Sequence, residues 1–214
     1  SMTLVGDVAQ STTPAGPERW STVVDPLSVR ERADGAIADL TLGSRVPEQI
    51  RSVETRVLAH AGVEATESRS VRHAGAPPTW HVVPRARVSG NQDLAEKVAE
   101  VAAATKRRRR VSGVVAPVGL HVAIGEALAG HGLVAVDHVH ELGPDELPLF
   151  DSERVKGLEF DGVVVVNPHE ILSEGTAAEI TPRGARLLYV AMTRAVQELH
   201  FVTDGAPPRV LDGR

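Results

Sequence analysis

Lys156-Gly157-Leu158-Glu159-Phe160-Asp161-Gly162-Val163-Val164-Val165-Val166 is the stretch on which the fold turns. Four consecutive valines leave no polar face, and a continuous apolar run of this kind belongs to a strand buried on both sides of a parallel sheet. Such a strand needs helices above and below it. Downstream, Arg183 to Ala195 has helical spacing and Leu199 to Val202 reads as the strand that follows. The loop Lys156 to Glu159 enters the buried strand, so it lies at an edge of the sheet, where open α/β folds bind ligands.

Working toward the N-terminus, strand and helix signals alternate. Val111 to Ala116 and Leu133 to Val136 are β-rich runs flanking a helix from about Gly119 to Ala129. Gln92 to Ala104 is helical through Leu94, Val98 and Val101, and the strand-like Thr79 to Val83 follows a loop containing Pro77-Pro78. Ala38 to Leu42 reads as a strand, and Pro47 opens a helix that Gly62 closes, the usual Pro-first and Gly-last asymmetry. Met2 to Val5 is a short β-prone run leading into Gly6-Asp7-Val8-Ala9-Gln10, a Thr/Pro/Gly-rich stretch and Trp20, which together read as a leader. Repeated alternation implies a layered α/β fold with a mainly parallel sheet and right-handed crossovers.

Composition narrows the chemistry. With 214 residues, 42% apolar and 24% charged, the chain supports one sizeable core with a small appendage. The absence of cysteine excludes disulfides and thiolate metal sites. No apolar run approaches about eighteen residues and no signal-peptide pattern opens the chain, so a cytoplasmic location is expected. The formal net charge of −5 gives the chain as a whole no pull toward nucleic acid. Its one concentrated positive feature, Lys106-Arg107-Arg108-Arg109-Arg110, reads as a solvated helix end where cations offset the dipole, with contact to phosphates or to an acidic partner as the other reading. Asp137-His138-Val139-His140-Glu141 puts two histidines on one face if extended, but no third ligand is evident nearby, which favours solvated loop histidines. No Gly-x-Ser-x-Gly elbow or cysteine nucleophile anchors a hydrolase reading. Nor is there a phosphate loop, because Lys97, Lys106 and Lys156 follow Glu96, Thr105 and Val155 instead of the glycine that such a loop requires.

Val155-Lys156-Gly157-Leu158-Glu159-Phe160-Asp161 and Leu187-Leu188-Tyr189-Val190-Ala191-Met192-Thr193-Arg194-Ala195, in this order and at this spacing, resemble the two C-terminal signature motifs of UvrD/Rep-type superfamily-one helicases. The resemblance implies a RecA-like three-layer fold, here the second motor domain over residues 27–214, preceded at 1–26 by a strand-and-loop remnant of the first. In the family the phosphate loop and the magnesium-binding acidic strand lie upstream, so the chain is expected to be a C-terminal fragment. ATP and Mg²⁺ are then held mainly by the first RecA-like domain. Arg194 matches the family's arginine finger, Glu159 its ribose-binding glutamate, and Gly157 a glycine that permits close backbone approach. Gly6-Asp7-Val8-Ala9-Gln10 resembles the coupling motif, whose glutamine, here Gln10, senses the γ-phosphate. Leu40 to Pro47 resembles the motif in which an arginine, here Arg45, reaches phosphate.

The departures are equally specific. Ser44 stands where the family has an adenine-stacking tyrosine, and Glu153-Arg154-Val155 replaces its His-Ser-Ala, which weakens the expected contact to single-stranded DNA. The family's aromatic cluster after the coupling motif is here Ser11-Thr12-Thr13-Pro14-Ala15, with Trp20 the only nearby aromatic in a chain that is 3% aromatic. Base stacking is worth about 1–3 kcal/mol per base, so the chain is poorly equipped to grip single strands that way. The interval between Arg45 and Gly157 holds ordinary strand–helix units and no room for the large insertion of unwinding members. These features most resemble the HelD-like branch, whose members bind RNA polymerase and use ATP to release it from nucleic acid. The resemblance thus implies DNA and RNA polymerase as partners of the full protein, and inactivity of this chain alone. The competing expectation is a degenerate RecA-like docking module without catalysis, against which the retained Arg45 and Arg194 argue.

Overall fold

The computed structural model describes residues 3–14, 16–17, 19–27, 38, 40–43, 45–63, 69–72, 76–84, 91–175 and 179–211. Leu42–Gly43 (β1) and Arg69–Ser70 (β2) form a small parallel pair. Strands Thr79–Val83 (β3), Ser112–Val115 (β4), Val134–Val136 (β5), Glu146–Phe150 (β6), Phe160–Val166 (β7) and Ala195–Asp204 (β8) form a separate sheet in the order β3-β8-β7-β4-β6-β5. Every pairing in it is parallel. A short helix Trp20–Val24 (α1) lies in the N-terminal segment.

The valine run occupies the centre. Val163 and Val165 of β7 pack with helices Glu48–His60 (α2), Pro168–Leu172 (α5) and Pro182–Thr193 (α6). Val164 and Val166 point the other way, into a cluster with Gln92–Arg108 (α3) and His121–Gly130 (α4). Successive residues of a strand face opposite sides, so four apolar residues in a row require this double cover. The result is a three-layer α/β fold of RecA-like form.

The sequence signals placed most of these elements. The α3 helix runs past Ala104 to Arg108, because Thr105 is buried and donates its hydroxyl to Val101 O at 2.8 Å, while Lys106 Nζ donates to Glu146 O at 2.7 Å. Two expected strands do not form as read. Met2 lies outside the described residues, and Thr3 to Val5 is exposed non-strand backbone. Of the run from Ala38 to Leu42, Asp39 lies outside the described residues and only Leu42 enters a strand, β1. Both runs lack a described neighbour with which to form a longer ladder. Strand β6 carries no clear signal, because Pro148 in its middle argues against a strand. The structure admits it because Pro148 faces the short β5, while the ladder to β4 begins at Leu149.

Helices α5 and α6 meet with no room for a side chain at Gly184. A Cβ there would stand 2.1 Å from Leu172 O and 2.6 Å from its carbonyl carbon. Thr181 caps α6 by accepting from Gly184 N at 2.8 Å, and its own N–H reaches Leu172 O at 3.0 Å, so the backbone cannot yield easily. Alanine in place of glycine inside a helix normally stabilises by about 1 kcal/mol. Here Gly184→Ala is expected to destabilise by about 1–3 kcal/mol through overpacking, a reversed sign that denaturant unfolding of the two proteins measures directly.

Candidate functional site

The two motif segments meet at the amino ends of neighbouring strands. Glu159 immediately precedes β7 and Arg194 immediately precedes β8, and Phe160 N donates to Arg194 O at 2.9 Å, which ties the two strand starts together. The ligand rule for open α/β sheets concerns the carboxyl ends of strands. This cluster therefore sits at the opposite edge from the one that rule selects, a correction to the expectation drawn from the loop's position alone.

Gly157 is exposed and takes φ +85°, a left-handed conformation that strongly favours glycine. The space where its Cβ would stand is open. Among the described residues nothing approaches it closely, so backbone conformation accounts for the glycine. Its neighbour Lys156 donates from Nζ to Gln10 O at 2.8 Å, and Val155 is fully buried beneath the loop. Gln10 ends a 3-10 turn, Val8–Gln10, whose Asp7 cap accepts from Ala9 N and from Gln10 Nε2, both at 2.9 Å. Tyr189 of α6 donates its hydroxyl to the same Asp7 carboxylate at 3.2 Å, and Ala9 packs with Leu58 and Val63. The Gln10 turn is thereby seated on α2 and α6 beside the Gly157 loop.

Arg45 and Glu159, each assigned to nucleotide by resemblance, form an ion pair with one another, both well exposed. Arg72 Nη1 donates to Arg45 O at 3.1 Å and to Val196 O at 3.0 Å, fastening the Arg45 loop to the start of β8. Ser44 lies outside the described residues. Arg194 is 7% exposed. Its guanidinium donates to Val190 O at 3.1 Å, Leu158 O at 3.1 Å and Thr193 Oγ1 at 3.0 Å, which commits three of its N–H groups to its own chain. Burial lowers its pKa, the Arg45 charge adds to that, and Tyr189, Glu54 and Asp7 oppose it. The electrostatic neighbours of Arg194 thus include Arg45 itself and the Asp7 and Tyr189 that seat the Gln10 turn.

Glu153, in the place of the resembled histidine segment, pairs with Arg183 at 2.7 Å, and Arg183 also donates to Thr12 O at 2.8 Å and to Glu174. Trp20 is half-buried against Gly6, and Trp80 stacks on Phe201 with ring centroids 4.4 Å apart. His138 and His140 are both exposed. Among the described residues one group has metal-ligand types close together, His169, Glu170 and Asp204, whose ligand atoms lie within 4.8 Å of one another. It stands at the carboxyl ends of β7 and β8, away from the motif edge, and Glu170 already accepts from Asn167 Nδ2 at 2.6 Å.

One site residue gave no sequence signal. Glu54, on α2, is 2% exposed, and its Oε1 has no hydrogen-bond partner. Burial drives its pKa from the ordinary 4.5 up to about 8, opposed by the Arg51 and Arg194 charges and reinforced by Asp7. A helix-borne glutamate among polar neighbours reads as surface, and only the docking of α2 against α6 buries it. The folded state holds its proton where the unfolded chain has released it, so this contribution to stability is complete below about pH 4.5 and is lost as pH rises toward about 8. Glu54→Gln, which cannot ionise, is expected to flatten that decline. Relative to the wild type it should gain at least about 1.4 kcal/mol between pH 5 and pH 8, one pKa unit's worth, as read by denaturant unfolding at both values.

Comparison with known proteins bears on the same segment. Residues 149–202, which span part of β6, all of β7, α5 and α6, and most of β8, match the family model of the UvrD-like helicase C-terminal domain. No curated protein sequence matches the chain. Among solved structures, the C-terminal domain of a possible DNA helicase from Lactobacillus plantarum WCFS1 superposes with a TM-score of 0.57 at 21% identity, over 79% of this chain and 92% of that one. The fold is therefore shared with that helicase domain, and the stretch matching the UvrD-like C-terminal family contains the Gly157 loop and Arg194.

Proposed function

We propose that the chain is the second motor domain of an ATP-dependent helicase or translocase, residues 27–214 being that domain and 1–26 a remnant of the first. The observation that carries this reading is the convergence of separated segments on one edge: the Gln10 turn, the Arg45 loop, Gly157 and Glu159 before β7, and Arg194 before β8. In the assembled motor this edge faces ATP and Mg²⁺, which the first RecA-like domain mainly holds. Arginine suits the role assigned to Arg194, because its planar fork keeps its charge and pairs bidentately with phosphate oxygens. Cleft closure must exchange its present bonds to Val190 O and Leu158 O for phosphate, and must part Arg45 from Glu159. Alone, with no phosphate loop, the chain turns over no ATP in this reading.

Within the motor reading we favour the HelD-like, polymerase-recycling form over an unwinding helicase. Both tryptophans are engaged in packing, and the interval between Arg45 and Gly157 is filled by β3 to β6 with their helices, which supports a compact domain without strand-gripping aromatics. A non-catalytic docking module is the second reading, favoured by Arg194 being bonded to its own backbone and Arg45 being neutralised by Glu159.

The test is steady-state ATP turnover of the complete protein containing this chain, with single-stranded DNA or core RNA polymerase added. Arg194→Ala is expected to lower turnover by about 10³ to 10⁵, the usual worth of such an arginine, and unchanged turnover would remove the finger role. Stimulation by polymerase alone supports the HelD-like form, stimulation by DNA alone restores the helicase, and no turnover with either leaves the docking module.

A further inference from the structure

Strand β3 is the outermost strand at one edge of the described sheet, laddered on one side to β8 and packed against α3. In their parallel register Trp80 pairs with Phe201, and the two rings stack on the face shared with α2 and α6. Alternation sends His81 of β3 and His200 of β8 to the other face, toward α3, where Val83 and Val202 also pack. There His81 Nε2 stands 3.3 Å from His200 Nδ1. His200 is 6% exposed and His81 half-buried, so the two rings bond largely out of water.

The protons of this contact follow from what lies behind it. Glu198 is ionised, its pKa brought to about 2 against the pull of burial by hydrogen bonds from Arg108, His200 and Arg109, and an ionised carboxylate only accepts. His200 Nε2, 2.7 Å from Glu198 Oε1, therefore carries a proton. In a neutral His200 the Nδ1 is then a bare acceptor, which His81 Nε2–H fills. One added proton is accommodated, because whichever ring becomes an imidazolium donates across the contact to a neutral partner. A second is not. Two imidazoliums aim N–H at N–H across the same gap, with like charges and no acceptor between them.

Among the described residues, the anions around the pair are already engaged. Glu198 is bound by Arg108 and Arg109, Glu100 by Lys97, and Glu96 by His131 at 2.7 Å. The pKa of His81 accordingly lies below the ordinary 6.5, through burial first and then the His200 and Lys97 charges, with Glu100 opposing. The unfolded chain takes up a proton where the folded strand resists one. The stability that the pair supplies is thus complete above about pH 6.5 and declines as pH falls below it.

We propose that His81 and His200 are a proton-operated latch on the sheet edge: with at most one added proton they hold β3 to β8, and with a second they release it. Because β3 has a single ladder, it can leave without dismantling the centre of the sheet. Its departure unstacks Trp80 from Phe201 and bares the ladder groups of β8, an edge open to pairing with another strand. The latch belongs to the sheet edge and stands apart from the motor reading.

The experiment is an NMR titration of the histidine ring protons of the 214-residue chain from about pH 8 to about pH 4, with backbone amide exchange followed in parallel. His81 and His200 are expected to titrate as a coupled pair, in two steps at least about one unit apart. With exchange corrected for the intrinsic effect of pH, protection of β3 should fall about tenfold more than that of β7 between about pH 7 and about pH 4.5. His81→Gln keeps an N–H donor toward His200 but cannot ionise, and should flatten that difference. His60→Gln, at an exposed position of α2, should leave it unchanged. Independent titration of the two rings, β3 protection that tracks β7 at every pH, or the full wild-type loss persisting in His81→Gln overturns the proposal. The wild-type titration reads the coupling directly, so a folding defect in a variant does not leave the question open. No nucleotide is present, and failure here leaves the turnover test untouched.

Discussion

Burial of Val163 to Val166 on both faces is the constraint from which the rest follows. Each of the four is at most 1% exposed. Full burial of a valine is worth about 1.5–3 kcal/mol, so the run contributes on the order of 6–12 kcal/mol before chain entropy is counted, comparable with the whole net stability of a typical domain. That energy is available only if helices cover both sides of β7 and if β4 and β8 flank it. Once β7 and β8 are locked in register, the residues just before them have no freedom of position. The core brings the Gly157 loop and Arg194 together, and their own hydrogen bonds then fix the side chains.

Much of this was legible in the chain. The unbroken valine run and the helical spacing of α3 and of the helix from Arg183 each carry a pattern that one packing arrangement satisfies. Gly157 and Arg194 were legible because they sit in long motif segments. What the sequence withheld is tertiary. Pro148 disguised β6, since nothing local tells whether its missing N–H faces a needed ladder partner. Helix α5 follows Asn167 in a left-handed conformation and is too short to show a period. The conformations of the motif residues were hidden as well: a motif names Arg194 and Arg45 but cannot say that the first bonds its own backbone or that the second pairs with Glu159. Arg72 and Glu54 gave no signal, because the importance of each arises from elements distant in sequence.

The motif edge is organised around charge held under cover. Arg194 is buried beside Glu54, whose raised pKa leaves it mostly protonated near neutrality. A neutral neighbour does not offset the arginine, and the Asp7 carboxylate that also acts on it is already shared among Ala9 N, Gln10 and Tyr189. A buried cation with little local compensation favours an approaching anion more than a fully paired one does. The same arrangement makes the edge costly to maintain.

Arg108 and Arg109, at the end of α3, already hold an anion between them, Glu198 of β8. Burial pushes the Glu198 carboxyl up, but hydrogen bonds from Arg108, His200 and Arg109 outweigh that and hold it at about 2, so it is ionised at any ordinary pH. Any anion that approaches these two guanidinium groups must first displace this carboxylate from them. The basic run from Lys106 to Arg110 is thereby partly closed on the protein itself, Lys106 on Glu146 O and two arginines on Glu198, and presents less free charge to solvent than its five cations suggest.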